Sequence, residues 1–178
     1  MVTRAEWNFY VFNVKIGIRA FLKNIDYFRF REYLMTFKEI NHDFNSQLRY
    51  SLLDIGCGEE VFGIFLAKTK GWEVTVVDMN EQKISFQNKC FKRLKDEHTV
   101  FKAETADATK MPYSDGNFDA VTCFAVAPLI EGEGDTRLLQ EIGRVLKDDG
   151  RAYVTVGYGL QYQEQWNSSS TKRIFKGL

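Results

Sequence analysis

Neither sign of charge is in excess in this sequence: Lys and Arg together number 24, and so do Asp and Glu. No global field therefore draws the chain to polyanions, and nucleic acid is not an expected partner. Cysteine is scarce. Cys57, Cys90 and Cys123 are an odd number without CxxC spacing, which excludes a disulfide framework and a zinc site and points to a reducing compartment. The two histidines, His42 and His98, lie far apart without ligand spacing, so no metal is expected. No apolar run is long enough to span a bilayer, and charges interrupt every apolar stretch near the N-terminus. The expectation is a cytoplasmic protein with no membrane partner.

What is abundant is aromatic. Phe, Trp and Tyr make up 15% of the 178 residues, and much of that content lies in the first fifty positions. There Val14, Ile18, Phe21, Ile25 and Phe28 recur at helical spacing, and Phe30, Leu34 and Phe37 continue with a shifted phase. We read residues 1–48 as a helical cap that is part of the same domain as the α/β core. Lys15, Arg19 and Lys23 share one face of it, as either a solvated face or a basic substrate-guiding or membrane-touching surface.

From Tyr50 onward strand and helix patterns alternate, which predicts an α/β core over 49–156 with a parallel sheet and right-handed crossovers. The predicted strands are 49–54, 73–78, 99–103, 118–124 and 152–156. The helices between them run through Lys70, from an Asn80 cap to about Leu94, and from Asp135 or Thr136 to a stop at Asp149-Gly150. The densest signal is Leu52-Leu53-Asp54-Ile55-Gly56-Cys57-Gly58, an apolar strand ending in an acid and a glycine turn, with a helix pattern directly after it. In an open α/β sheet that order places a nucleotide pocket at the strand ends.

Four ordered motifs carry a resemblance. Leu53-Asp54-Ile55-Gly56-Cys57-Gly58, Val76-Val77-Asp78-Met79-Asn80, the run from Ala106 to Phe118-Asp119, and Glu141 to Gly150 are similar to the successive motifs of class I S-adenosylmethionine-dependent methyltransferases of the type 11 kind. The resemblance implies a Rossmann-like, doubly wound, mostly parallel sheet of order 3-2-1-4-5 under an N-terminal helical cap. It implies S-adenosylmethionine as cofactor, S-adenosylhomocysteine as product, and a small-molecule acceptor.

By that resemblance Asp54, Gly56, Cys57 and Gly58 meet the methionine part of the cofactor, and Asp78 accepts from the ribose hydroxyls. Met79 packs on the adenine, Asp107 and the Ala108 amide bind its edge, and Cys123 and Phe124 floor the reactive methyl. The plainer alternatives are a turn cap for Asp54, a helix cap for Asp78, an ordinary loop acid for Asp107, and small apolar fillers for Cys57 and Cys123. Tyr27, Phe30, Tyr33 and Phe37 are the candidates for residues near cofactor or acceptor, with ordinary core packing as the alternative for each. No catalytic residue is assigned, because Ala125-Val126-Ala127-Pro128-Leu129-Ile130 carries no titratable group and methyl displacement can proceed by positioning.

Two departures stand out. Glu60 replaces a third glycine, in what reads as the first helical turn, and is expected to weaken or rearrange binding at that end. The tail, 157–178, is too short for the family's remaining helix and C-terminal hairpin, as in a minimal or truncated form. Self-association through the fifth-strand edge, or a tail folded back with Ile174-Phe175 over it, is therefore expected. A non-catalytic binding or partner subunit on the same fold is the alternative function. A nicotinamide-dependent oxidoreductase is disfavoured by Val61, where the dinucleotide fingerprint needs glycine.

Overall fold

The computed structural model describes residues 8, 9, 11, 12, 27–94 and 98–156. The expected helix through 14–26, the basic face at 15, 19 and 23, and the tail at 157–178 lie outside the described residues.

Helix α1 (Tyr27–Asp43) precedes the sheet. Strand β1 (Ser51–Ile55) leads through the glycine turn into α2 (Phe62–Lys70). Then come β2 (Glu73–Asp78), α3 (Glu81–Arg93), β3 (Phe101–Thr105), β4 (Phe118–Phe124), a short 3-10 turn (Ala127–Leu129), α4 (Gly134–Val145) and β5 (Leu146–Thr155). The sheet order is β3-β2-β1-β4-β5 and every pairing is parallel, as the strand–helix alternation and the resemblance predict.

Strand alternation divides the core in two. One face of the sheet, with Leu52, Val74, Val76 and Ala120, packs against α2, α3 and the cap. The other, with Leu53, Ile55, Val121 and Cys123, packs against Leu138, Ile142 and Val145 of α4. The cap joins the first face through aromatics. Tyr33 stacks on Phe62 at 4.8 Å between centroids, and Phe9 and Phe37 meet Phe65 at 4.9 and 5.2 Å. Each such pair adds about 0.5–1.5 kcal/mol to simple area burial.

Sequence boundaries shift in identifiable places. Asn80 caps α3, its side-chain oxygen accepting from the Gln82 N–H at 2.9 Å. Helix α4, however, stops at Val145, before the predicted Asp149-Gly150, and Leu146 is already extended and paired with Phe118. The carbonyls of Arg144 and Val145 accept instead from the Gly116 and Asn117 N–H groups, so a turn on the neighbouring segment ends the helix. That helix starts at Gly134, which places Asp135 inside its first turn and not at its cap. Glu60 lies before the N-cap Val61 and outside the first turn of α2.

Candidate functional site

Parallel strands deliver their C-terminal ends to one edge of the sheet, and there the acids that end β1 and β2 converge. A cavity of about 290 Å³ opens at this edge. Gly56, Gly58, Asp78, Met79, Asp107, Ala108 and Phe124 line it, joined by Arg29, Glu60, Lys83 and an apolar wall of Val126, Leu129 and Ile130. A smaller cavity of about 20 Å³ shares Arg29, Gly56, Glu60 and Phe124 with it, so the two adjoin. Tyr33, Asp54, Cys57 and Phe62 complete the smaller one.

The turn after β1 keeps its backbone open. Gly58 has φ +56°, and a Cβ there would stand 2.2 Å from Glu60 Oε2. At Gly56, with φ +69°, a Cβ would meet Val126 Cγ2 at 2.3 Å. Both positions favour glycine by their positive φ; at Gly56 the branched Val126 side chain also fills the space, whereas at Gly58 the flexible end of Glu60 could give way. Gln87, fully buried on α3, secures the turn: its Nε2 donates to the carbonyls of Glu60 at 2.6 Å and Gly58 at 3.1 Å.

Asp78 is held by donors on two sides. Its Oδ2 accepts from the Gly58 N–H at 3.1 Å and faces Lys83 Nζ at 3.5 Å, while Oδ1 accepts from the Asn80 N–H at 2.9 Å. A carboxylate has about four lone-pair sites, so acceptor capacity remains toward the cavity. Asp107 is exposed, and its Oδ1 accepts from the Thr109 N–H and hydroxyl, both at 2.8 Å. Those two bonds, the backbone one foremost, hold its carboxyl below the usual range. The loop behind it is clamped by Arg144, which donates to the carbonyls of Tyr113 and Met111 and to Glu141, while Glu141 accepts from the Met111 N–H.

The other end is crowded with acid. Asp54 is 3% exposed and accepts from the Thr122 hydroxyl at 2.7 Å. Burial raises its pKa from 3.8 to about 7; the Thr122 bond pulls the value down and the Glu60 charge pushes it up. Tyr33 is pushed well above the ordinary tyrosine value, first by burial and then by Glu60. Burial works against the Arg29 charge, yet Tyr33, Glu32 and Glu60 together hold its pKa above the usual arginine value.

Of the residues expected at a cofactor, Cys123 alone lines neither cavity. Strand alternation turns it to the α4 face, where it is fully buried and its thiol is pushed up to about 12. It fills core, which corrects its assignment to the floor; Phe124, one residue on, faces the cavity. Asp119 lies at the opposite end of the sheet and accepts from the Ser51 N–H and hydroxyl. Of the cap aromatics Tyr33 reaches the smaller cavity, Phe30 and Phe37 pack against the core, and the Tyr27 side chain lies outside the described residues.

Sequence reasoning missed Arg29, Lys83 and Ala125. The i,i+4 spacing of Arg29 and Tyr33 on one helix face was the available signal for the first. Ala125, at φ 52°, takes a left-handed conformation uncommon for a residue with a Cβ, at the rim of the cavity. Among the described residues no cluster of His, Cys, Asp and Glu could hold a metal, and no helix is long and apolar enough to cross a membrane.

The residues suit a nucleoside at one end of the larger cavity: two acids for hydroxyl and amino donors, Met79 for a ring face, and a volume near that of small-ligand pockets. They suit the amino-acid tail of S-adenosylmethionine less well, because Glu60 stands over the turn where that tail is expected.

A family model described as a methyltransferase domain matches residues 53–154. Among curated proteins the chain is similar to 27-O-demethylrifamycin SV methyltransferase of Amycolatopsis mediterranei (strain S699), 34% identical over 101 residues, covering 56% of this chain and 36% of that protein. Three matched curated relatives are covered over 36%, 42% and 26% of their own lengths, so the chain spans less than half of each. Among solved structures it is similar to the [4+2]-cyclase SpnF, with 28% identity, a TM-score of 0.56, and coverage of 60% of this chain and 38% of that one. The fold is also that of geranyl diphosphate C-methyltransferase from Streptomyces coelicolor A3(2), crystallised with Mg2+, geranyl diphosphate and S-adenosyl-L-homocysteine. That match has 22% identity, a TM-score of 0.51, and coverage of 58% of this chain and 37% of that one.

Proposed function

Because the chain belongs to the methyltransferase domain family, we propose that its strand-end cavity binds S-adenosylmethionine and supports methyl transfer to a small-molecule acceptor. The observation that carries this reading is the convergence of the glycine turn, Asp78, Met79 and Asp107 on one cavity of about 290 Å³. Asp78 would hold the ribose, Asp107 and the Ala108 amide the adenine edge, and Met79 its face.

The bound cofactor supplies an electrophilic methyl group. The chain's own part is orientation and exclusion of water. Phe124, Val126, Leu129 and Ile130 form an apolar wall beside the expected methyl position, and no titratable side chain belongs to that wall. An acceptor that is already nucleophilic needs alignment more than proton removal, and alignment alone supplies about 7–11 kcal/mol of a barrier.

The test is thermal shift and calorimetry with S-adenosylmethionine and S-adenosylhomocysteine. Binding of both is expected; no heat and no shift at millimolar ligand would sink the reading.

One observation favours a second reading, a binding subunit without methyl transfer: the Glu60 carboxylate stands over the turn expected to receive the cofactor tail. The similarity to the [4+2]-cyclase SpnF is in keeping with a fold that hosts other chemistry. Ligand binding without turnover across hydroxyl, amine and carbon acceptors would select it.

A further inference from the structure

The two most exposed large apolar side chains among the described residues line the same cavity. Met79 is 72% exposed and Leu129 71%, and both border the space of about 290 Å³ at the strand ends. A single exposed leucine is ordinary on a protein surface, but two such side chains at one concave site are not scattered. They stand on different sides of it. Met79 follows β2 and Leu129 follows β4, with β1 and its glycine turn between them. Neighbouring strands lie about 4.8 Å apart, so the two strand ends are separated by roughly 10 Å. Met79 therefore flanks the end read as the nucleoside subsite, and Leu129 belongs to the wall beside the methyl position.

The segment that carries Leu129 is pinned, and its polar groups are spent inside the protein. The Ala125 N–H donates to the Thr155 carbonyl at 2.8 Å, the Leu129 N–H to the Val126 carbonyl at 2.9 Å, and the Ile130 N–H to the Ala127 carbonyl at 3.3 Å. Val126 packs over Gly56, and Ile130 fills the space where Gly134 has no side chain. Phe124 is buried against two rings, 5.1 Å from Tyr33 and 5.5 Å from Phe62 between centroids. Of residues 124–130 only Leu129 is exposed. A hydroxylated or charged group set against this wall would give up water and meet no side-chain partner on it. An apolar group would leave water together with Leu129.

We infer that Leu129 receives the body of the acceptor, and that the preferred acceptors are apolar molecules with one nucleophilic atom, over sugars, amino acids and other richly polar compounds. This rests on the reading of the cavity as an adenosyl site, which sets the methyl group beside that wall.

Calorimetry on the protein saturated with S-adenosylhomocysteine tests this with n-butanol, n-pentanol and n-hexanol. Sorbitol, with the carbon count of hexanol and a hydroxyl on every carbon, is the control. Affinity is expected to rise roughly fourfold with each added methylene, and sorbitol is expected not to bind. In Leu129→Asn the rise should fall below about twofold per methylene, with S-adenosylhomocysteine affinity held within about twofold. Leu129→Met should keep the full rise. A flat alcohol series in the unsubstituted protein, sorbitol binding as tightly as hexanol, or a rise that Leu129→Asn leaves in place overturns the inference alone. So does a loss of S-adenosylhomocysteine affinity in Leu129→Asn, because Leu129 would then pack on the nucleoside. If S-adenosylhomocysteine does not bind the unsubstituted protein, the adenosyl reading falls and the inference with it. Leu129 is exposed, so the substitution is not expected to disturb folding; should Leu129→Asn fail to fold, Leu129→Ala is measured in its place, with the same outcomes.

Discussion

The two ends of the cavity are built on opposite electrostatic terms. At the nucleoside end each acid is exposed or met by donors: Asp107 by Thr109, Asp78 by Gly58, Asn80 and Lys83. At the tail end Asp54 is buried with one hydroxyl donor, and the Glu60 carboxylate lies over the Gly58 turn. The first arrangement holds carboxylates ready for neutral hydroxyl and amino donors. The second buries the Asp54 carboxyl, and burial raises its pKa to about 7. The same edge of one sheet thus carries a settled end, whose acids are exposed or held by donors, and an end with a deeply buried acid.

The strongest way to break this contrast is at Asp54. Its pKa rises from 3.8 in the unfolded chain to about 7 in the fold, so the folded state holds the proton more tightly. The penalty for ionising it is absent below pH 4, grows as pH rises from there to about 7, and is complete above that. Asp54→Asn keeps an oxygen for the Thr122 hydroxyl and removes the penalty. The variant should gain up to about 4 kcal/mol of unfolding free energy at pH 8 and little at pH 4. Denaturant melts at the two pH values check it; equal gains at both would show that Asp54 is not held protonated.

Next comes the turn the two ends share. Gln87 binds the carbonyls of Gly58 and Glu60 from below, and its Oε1 is buried without a partner among the described residues. Gln87→Ala frees those carbonyls and should lower stability by about 2–3 kcal/mol. A variant as stable as the parent would mean that the turn holds itself.

The order of these effects reflects what the sequence could and could not reveal. The strand–helix alternation, the Asn80 cap and the acids ending β1 and β2 were legible because they depend on period-two and helical patterns plus local turn chemistry, while the strand order came from the family resemblance. Asp78 and Asp107 reached the cavity because a strand end leaves a residue few places to go. Cys123 went astray by one step of strand alternation, a parity that the motif does not carry. The placement of Glu60 over Gly58, and of Arg29 beside it, rests on side-chain direction and on helix α1 packing through Tyr33 and Phe62. No local pattern encodes that.

Asp78→Asn tests the settled end. One oxygen is lost as acceptor, so either the Gly58 or the Asn80 N–H goes unmet and the charge facing Lys83 disappears. Adenosyl ligands should all weaken about thirtyfold, roughly 2 kcal/mol, regardless of tail. A loss confined to one tail class would place Asp78 at the wrong end of the cavity.

The smallest expected effect is at Met79, and it sharpens the contrast by being small. The side chain is 72% exposed and lines the larger cavity. With little burial in the fold, Met79→Ala should leave unfolding free energy within about 0.5 kcal/mol of the parent. Against a ring its sulfur contributes about 0.3–1.5 kcal/mol, so adenosine-containing ligands should weaken by only a few fold. The loss should be the same for 5′-methylthioadenosine and S-adenosylhomocysteine, since both present one adenine to it. Unequal losses would mean that Met79 touches the tail, and the division of the cavity into a nucleoside end and a charged end would have to be redrawn.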